Sequence, residues 1–577
     1  MKKLVLFLLF TSTGLSQESY LLQINRLSLP IDNKGVLADV SINGKAEDGK
    51  LDSIGFLFSA GFFLSGKNNN AVWANAMATS SRIADYQPGN VGSTPYDPRY
   101  AVYTLKKGYP LSPYEPFGLS WQKWRYAVEY GADFYDGDGD SIYNPVDLNG
   151  DGKWNSNEDA PDLIGDITAW CVYNDGVPSI DRAFQDEEPL GIEIQQTVFA
   201  FYDDYPYNNF DARSSTFFVR YKIINTGSVA DTFDSVYFGG WADTDLGGAN
   251  GYGDDLAGCD TLQNSGYVYN DGYDPSFGVN PPAHFVKILQ GPYKYIPGET
   301  FLDNNTNGEY DEGIDTPLDT AFNFKGEFSG VDTLSGAKNI GMTSFVNYMK
   351  SKPIHGDPDD IYQFRNYLKG LESDGNVYNP CSFPYGEVIG GVNCNDINPA
   401  YMYSGDPVTQ SGWIDIAPWD QRQLVSTGPF TLKTGKPVTI IVAHIVGRGT
   451  DSLNSITVSR EFSKAIEDFY KTNFTDFVVS VEDGKKEYVP TSFQLYQNYP
   501  NPFNPTTNIG FTISDFGLIT LKVYDVLGKE VATLVNEDKS AGNYEVEFDA
   551  SSLPSGVYLY QLQAGDYIKT NKMILLK

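Results

Sequence analysis

The sequence predicts a mainly β protein: a β-sandwich-rich body with few short helices, followed by a small C-terminal β-sandwich. Three observations predict it. Aromatic residues make up 14% of the chain, with 40 Tyr and 35 Phe against only 20% charged residues, a composition that favours half-buried pleated surfaces over disorder. Several runs alternate apolar and polar residues with period two, and Gly, Asn and Pro punctuate them. No repeat of fixed period occurs, which disfavours solenoids and propellers. At 577 residues the chain has room for two to four domains, each with a real core.

In chain order, Lys2 and Lys3 precede the apolar run 4–10, and Gly14-Leu15-Ser16 offers small residues before Gln17. This is the pattern of a cleavable signal peptide over residues 1–16. The run is far below the ~18 to 20 apolar residues of a membrane span, and no later window approaches that length, so no transmembrane segment is expected. No Cys follows it, so a lipoprotein anchor is not indicated. A β-rich region is expected over 17–190 and a second, sandwich-rich region with packing helices over 191–480. Residues 192–202 and 216–224 alternate, the latter setting Phe217, Val219, Tyr221 and Ile223 against Phe218, Arg220 and Lys222. The turn Asn225-Thr226-Gly227 then leads into 232–240, which reads as a hairpin. A second strand pair is expected across Thr434-Gly435-Lys436. Helices are expected at 120–130, carrying Trp121 and Trp124, at 361–370 behind an Asp359 or Asp360 cap, and where Val458, Phe462, Ala465, Ile466 and Phe469 recur at helical spacing.

A linker is expected at 481–492, and 493–577 reads as six or seven short strands. Its entry, Tyr499-Pro500-Asn501-Pro502-Phe503-Asn504-Pro505, is too rich in proline for a helix. Together with Val523-Tyr524-Asp525-Val526-Leu527-Gly528, Leu553-Pro554-Ser555-Gly556-Val557-Tyr558 and the basic end at Lys572 and Lys577, this segment resembles the type A C-terminal sorting domain of type IX secretion substrates. The resemblance implies an immunoglobulin-like sandwich recognised by the type IX translocon and sorting machinery. It also implies a Gram-negative cell that displays the protein on surface lipopolysaccharide or releases it. The stretches 165–170, 241–247 and 404–430 are similar to uncharacterised extracellular type IX cargo, a likeness that carries no activity.

The net charge of −33 would repel phosphate backbones and anionic lipid, so nucleic acid is not an expected partner and divalent cations are. The acidic run 136–158 carries the strongest local pattern. Read from Asp147, it fits a twelve-residue calcium template: Asp147, Asn149, Asp151 and Asn155 offer side-chain oxygens, Lys153 its carbonyl, Gly152 the turn and Glu158 the closing carboxylate. Alternate positions are needed because Ca²⁺ gathers six or seven oxygens, which a tight loop converges from every second residue. A second register starts at Asp136, with Asp138, Asp140, Asn144 and Asp147 as its closer and Ser141 in place of the turn glycine. A third lies at Asp303, Asn305 and Asn307. Ile314 occupies its closing position, so Asp311, Glu312 or Asp315 must substitute. Asp243, Asp245, Asp254 and Asp255 form a weaker acidic cluster near turns. The cofactor expected is structural Ca²⁺.

Of the four cysteines, Cys381 and Cys394 would close a short loop, Cys171 and Cys259 would make a long-range link, and all four as buried thiols is the alternative. Only three histidines occur, and HExxH, GxSxG and GxxxxGK[ST] patterns are absent. His444 reads as sheet packing and His355 as part of a loop before a helix. A glycosidase needs only two spaced carboxylates, and 74 acidic residues offer more pairs than a sequence can rank. Catalytic residues are therefore not assigned, and the balance leans away from an enzyme. An adhesive or structural surface protein is the first expectation. An extracellular glycan-binding or glycan-hydrolysing protein is the alternative, marked by a concave groove with aromatic faces beside carboxylates.

Overall fold

The computed structural model describes residues 18–576 except 78–84, 96, 107–115, 183, 185–186, 203–211, 249–250, 327, 353–354, 476–477, 483–484, 490–493, 496–497, 499–500, 502, 514–516, 527, 540–541 and 566. The expected signal peptide lies outside the described residues. Two units divide the chain after Phe474.

The first unit is a sandwich of two antiparallel sheets. One sheet runs in the order Ser344–Met349, Gln421–Lys433, Thr232–Asp243, Ser59–Asn68, Leu37–Ala38, Leu27–Asp32, Gly49–Leu51, Ile54–Leu57. The other runs Gln87–Pro88, Ile167–Asn174, Ile192–Ala200, Thr216–Asn225, Val438–Gly447, Ala283–Gln290, Ser265–Asn270, Asp255–Asp260. Strands from both sides of residue 190 share these sheets, so the expected division there is replaced by one interleaved unit. Period-two alternation sorts side chains between the layers. Phe217, Val219, Tyr221 and Ile223 face the inter-sheet core, while Phe218 joins a second cluster on the outer face. Phe62, fully buried, meets Tyr221 across the sandwich at 5.1 Å and Phe238 on its own sheet at 5.7 Å.

Two expected hairpins are corrected. Thr216–Asn225 pairs with Ile192–Ala200 and Val438–Gly447, whereas Thr232–Asp243 pairs with Gln421–Lys433 and Ser59–Asn68 in the opposite sheet. The Asn225-Thr226-Gly227 turn therefore carries the chain across the sandwich. The turn at Thr434-Gly435-Lys436 does the same between Gln421–Lys433 and Val438–Gly447. The two crossings pack side by side: Thr434 N–H donates to Asp231 O at 2.9 Å, and a Cβ added at Gly227 would press on the Thr434 side chain. An inward apolar stripe is satisfied equally by a partner beside it or opposite it, so the periodicity did not distinguish the two.

Three helices sit where their spacing placed them. α1, Leu119–Glu129, buries Trp121 and Trp124. α2, Ile361–Leu368, is capped by Asp360, whose carboxylate accepts from Tyr362 and Gln363 N–H, and it lays Phe364 on Phe63 of the first sheet at 4.0 Å. α3, Ser452–Lys471, is capped by Asp451 and covers the outer face of the second sheet. Its buried face differs from the expected one, since Ala465 is exposed and Ser455, Ser459 and Ser463 are buried. Small hydroxyl side chains let the helix approach closely: Ser459 Oγ donates to Ala283 O at 3.0 Å and accepts from Gly447 N–H at 3.0 Å. Cys381 and Cys394 form the short-loop disulfide, while Cys171 and Cys259 are buried thiols.

In the second unit, a sheet of Gln494–Leu495, Thr506–Ile513 and Gly542–Asp549 faces one of Glu530–Lys539, Gly517–Asp525, Gly556–Ala564 and Tyr567–Leu575. Phe511, Leu521, Val523 and Tyr560 form its core. The proline-rich entry is pinned along the last strand: Phe503 N–H donates to Ile574 O at 2.9 Å, and Leu576 N–H donates to Phe503 O at 3.0 Å. Much of the expected 481–492 linker is strand instead, because Val478–Glu482 and Lys485–Val489 pair as an antiparallel ladder.

Candidate functional site

The acidic segment 136–159 leaves and returns through a short ladder in which Phe134–Tyr135 pairs with Ala160–Pro161. Within it, Asp147 Oδ1 accepts from Gly150 N–H at 2.6 Å and Oδ2 from Gly152 N–H at 2.8 Å, with Gly152 at φ +73° as the sharp turn requires. Asn149 accepts from Asp151 N–H and Asp151 from Lys153 N–H. Glu158, 2% exposed, closes the loop, its Oε1 accepting from Leu148 N–H at 2.7 Å and its Oε2 from Asn155 N–H at 2.8 Å.

The register from Asp136 repeats this pattern. Asp136 accepts from Gly139 and Ser141 N–H, Asp138 from Asp140 N–H, and Asp140 from Ile142 N–H. Ser141 takes the turn conformation at φ +64°. The closing position, however, belongs to Asp159 and not to Asp147. Asp159 accepts from Gly137 N–H at 3.0 Å and Asn144 N–H at 2.7 Å, while both oxygens of Asp147 serve its own loop. Asp136, Asp138 and Asp159 bring carboxylate oxygens within 4.8 Å of one another. The adjacent closers Glu158 and Asp159 interlock the two loops, and a Cβ at Gly137 would collide with the Glu158 backbone.

The third segment is built alike and is also bracketed by a two-residue ladder, Phe301–Leu302 with Thr316–Pro317. Asp303 accepts from Asn307 and Gly308 N–H, Asn305 from Asn307 N–H, and Asn307 from Glu309 N–H. Asp315, of the three substitutes considered, is the closer, accepting from Asn304 and Asp311 N–H at 2.8 Å each. Asp311 instead accepts from the Asn305 and Asn307 side-chain amides at 2.7 Å.

A separate feature lies at one end of the first sheet. Asp243 ends the strand Thr232–Asp243 opposite Arg422, and the two side chains pair at 3.2 Å. Together with Asp48, Asp245, Lys350, Asp420, Phe58, Tyr252 and Trp419, they line a cavity of 760 Å³. Trp419 is 42% exposed and Tyr252 48%, so aromatic faces stand beside the carboxylates. Lys352 Nζ lies 3.8 Å over the Trp419 ring. Arg422 also reaches Asp420 at 3.0 Å and Asp357 at 3.4 Å. Burial first, and then the neighbouring carboxylates, hold Asp243 and Asp245 well above the usual carboxylate range despite Arg422. Asp243 and Asp245 group with Asp420 rather than with Asp254 and Asp255. Asp420, Arg422 and Trp419 gave no sequence signal, because their relevance comes only from register pairing of distant strands.

The histidines take no part in either feature. His284 and His444 are buried in the inter-sheet core, where His284 Nδ1 meets Thr244 Oγ1 at 2.8 Å and its Nε2 meets His444 Nδ1 at 3.1 Å. Burial pushes His444 down to about 3. His355 is packed against Phe383 and Tyr378.

Residues 497–576 of the second unit match the family described as the secretion system C-terminal sorting domain. The chain ends in a type IX sorting domain. A type IX sorting domain addresses its protein to the cell surface or the medium and engages the type IX machinery. Among the described residues, no helix is long and apolar enough to cross a membrane. No curated protein matches the chain. The distantly similar solved structures include the following two. A polysaccharide lyase has 8% identity over 67% of this chain and 34% of its own, with a TM-score of 0.20. Dimeric latent PorU from Porphyromonas gingivalis has 10% identity over 71% and 31%, with a TM-score of 0.14. The chain thus spans about a third of each, and likenesses this distant carry no argument about fold or activity.

Proposed function

We propose that the chain is a calcium-stabilised extracellular β-sandwich protein, directed to the inner membrane by a signal peptide over residues 1–16, with an adhesive or structural role. One observation carries the calcium reading: three loops share a single hydrogen-bond scheme. In each, the first Asp, the third and fifth residues and a buried closer accept from backbone N–H groups, the closer always from the second and ninth residues. In the loop from Asp136 the carboxylates of Asp136, Asp138 and Asp159 bring oxygens within 4.8 Å of one another, and a hard cation there would supply the charge that clustered carboxylates need. Calcium is scarce in cytoplasm, so loops with Kd of ~10⁻⁴ to 10⁻³ M would fill after export and make stability conditional on it. The test is thermal unfolding of residues 17–577 in millimolar Ca²⁺ and in chelator. The reading expects a clear rise in midpoint with calcium. Equal midpoints for a folded chain would sink it.

The cavity favours a second reading, glycan binding. Exposed Trp419 and Tyr252 beside carboxylates form the concave aromatic-acidic surface that a sugar ring requires, with its apolar face stacked and its hydroxyls hydrogen-bonded. Affinity electrophoresis against a neutral β-glucan and an acidic polyuronate should show retardation that Trp419→Ala abolishes. Migration unaffected by either polymer would leave adhesion to some other surface.

A further inference from the structure

We infer that Asp243, Asp245 and Asp420 form a fourth divalent-cation site, distinct from the three loops, whose open coordination positions face the cavity beside Trp419. Each of the three carboxylates offers an oxygen within 4.8 Å of the others, a separation one ion can span. A cluster of acids alone would not suffice, since like charges also settle by protonation. The additional observation is the state of Asp243. This residue is 2% exposed and lines the cavity, and its Oδ2 is engaged by Arg422 at 3.2 Å, yet its Oδ1 is buried without a hydrogen-bond partner. Asp245 Oδ1 is likewise buried and unpartnered. Unpaired buried acceptors of this kind are uncommon and call for a ligand.

Charge balance points the same way. Four carboxylates, Asp48, Asp243, Asp245 and Asp420, line the cavity against two cationic side chains, Lys350 and Arg422. One divalent ion cancels that excess. Arg422 and Lys350 pair with Asp420, at 3.0 Å and 3.4 Å, and so orient it rather than displace the ion. The donors are carboxylate oxygens, which select a hard ion such as Ca²⁺, Mg²⁺ or Mn²⁺ over a thiolate- or imidazole-seeking one. Here the three carboxylates themselves line the 760 Å³ cavity, so an ion held by them borders open space. The free positions can take hydroxyl or carboxylate oxygens of a sugar stacked on Trp419. That last step rests on the glycan-binding reading, whereas the ion does not.

The test uses the metal alone. Calorimetric titration of Ca²⁺ into the chelator-stripped chain 17–577 gives the number of ions bound per chain, for the parent and for Asp245→Asn and Asp420→Asn. Circular dichroism establishes that each variant is folded. Each variant should bind one ion fewer than the parent while retaining the share of the calcium-dependent rise in midpoint that the loops supply, so that its rise is smaller than the parent's but not abolished. Two variants guard against one failing to fold. Undiminished stoichiometry in a folded variant overturns the site. A one-ion loss without polysaccharide retardation leaves the site standing and removes only the glycan reading.

Discussion

Replacing Glu158 with Gln separates a structural acceptor from a calcium ligand. The carboxylate is 2% exposed and its two oxygens accept from Leu148 and Asn155 N–H. Gln keeps one acceptor and turns an amide NH₂ towards the other donor, so one charge-assisted hydrogen bond is lost, costing about 1.5 to 3 kcal/mol. In calcium a second cost adds to it. At about 10 mM Ca²⁺ and Kd of ~10⁻⁴ to 10⁻³ M, occupancy would contribute about 1.4 to 2.7 kcal/mol to the parent. Glu158→Gln forfeits that contribution, and the total loss reaches roughly 3 to 6 kcal/mol. Urea unfolding of parent and variant, each in calcium and in chelator, yields both differences. Trp154 serves as a local probe, since its indole N–H donates to Glu158 O at 2.8 Å. If the variant is destabilised equally in the two conditions, Glu158 is an acceptor only and the calcium argument for this loop fails.

Three further outcomes follow. His444, held at about 3 by burial against about 6.5 when unfolded, contributes stability that is complete above pH 6.5 and is lost as pH falls towards 3. Between pH 7 and 5 the parent should therefore lose about 2 kcal/mol more than His444→Leu, and parallel denaturant-derived slopes would contradict this. Replacing both Cys381 and Cys394 with Ser frees a loop of sequence separation 13, at a cost of up to ~3 kcal/mol read as a lower thermal midpoint; an unchanged midpoint would mean the segment is held by packing alone. A chain ending before residue 493 should remain inside the outer membrane on fractionation, while the full chain reaches the surface or medium; export of the truncated chain would show a second address.

Much of this was legible in the sequence, and the failures share a cause. Alternation over 216–224 and 192–202 located strands that run Thr216–Asn225 and Ile192–Ala200, because alternation is a local property of a pleated strand. Partner choice is not local, so alternation predicts hairpins at the two points where the chain crosses between sheets. The calcium template puts Asp136, Asp147 and Asp303 first in their segments, and each accepts from backbone N–H groups within the next five residues. It missed Asp159, which lies outside the twelve-residue frame and reaches its loop only because the Phe134–Tyr135 and Ala160–Pro161 ladder folds the segment back. The one visible hint was an acid directly after Glu158. The face of α3 is not legible from periodicity because serine counts as polar, although a hydroxyl bonded to a carbonyl at the start of an inner strand is as buried as a leucine.

The placement of the paired loops also fixes the order in which the first unit should come apart. They contribute to a cluster around Trp121, Trp124 and Trp170 and not to the inter-sheet core: Tyr143 donates its hydroxyl to Trp121 O at 2.9 Å and packs on Phe134, and Trp154 meets Phe328 at 4.7 Å. Among the described residues, the sandwich core cluster around Phe62, Tyr221 and Phe238 includes no member of either loop and draws its stability from buried aromatic area. Removing calcium should then withdraw Tyr143 and Trp154 and expose α1, while Thr216–Asn225 and Val438–Gly447 keep their ladder. Hydrogen exchange in chelator should show α1 amides exchanging well before those of the two central strands, with the gap closing when calcium is restored. Simultaneous loss of protection would mean that the loops brace the whole sandwich, and the division between a calcium-held rim and a self-sufficient core would be wrong.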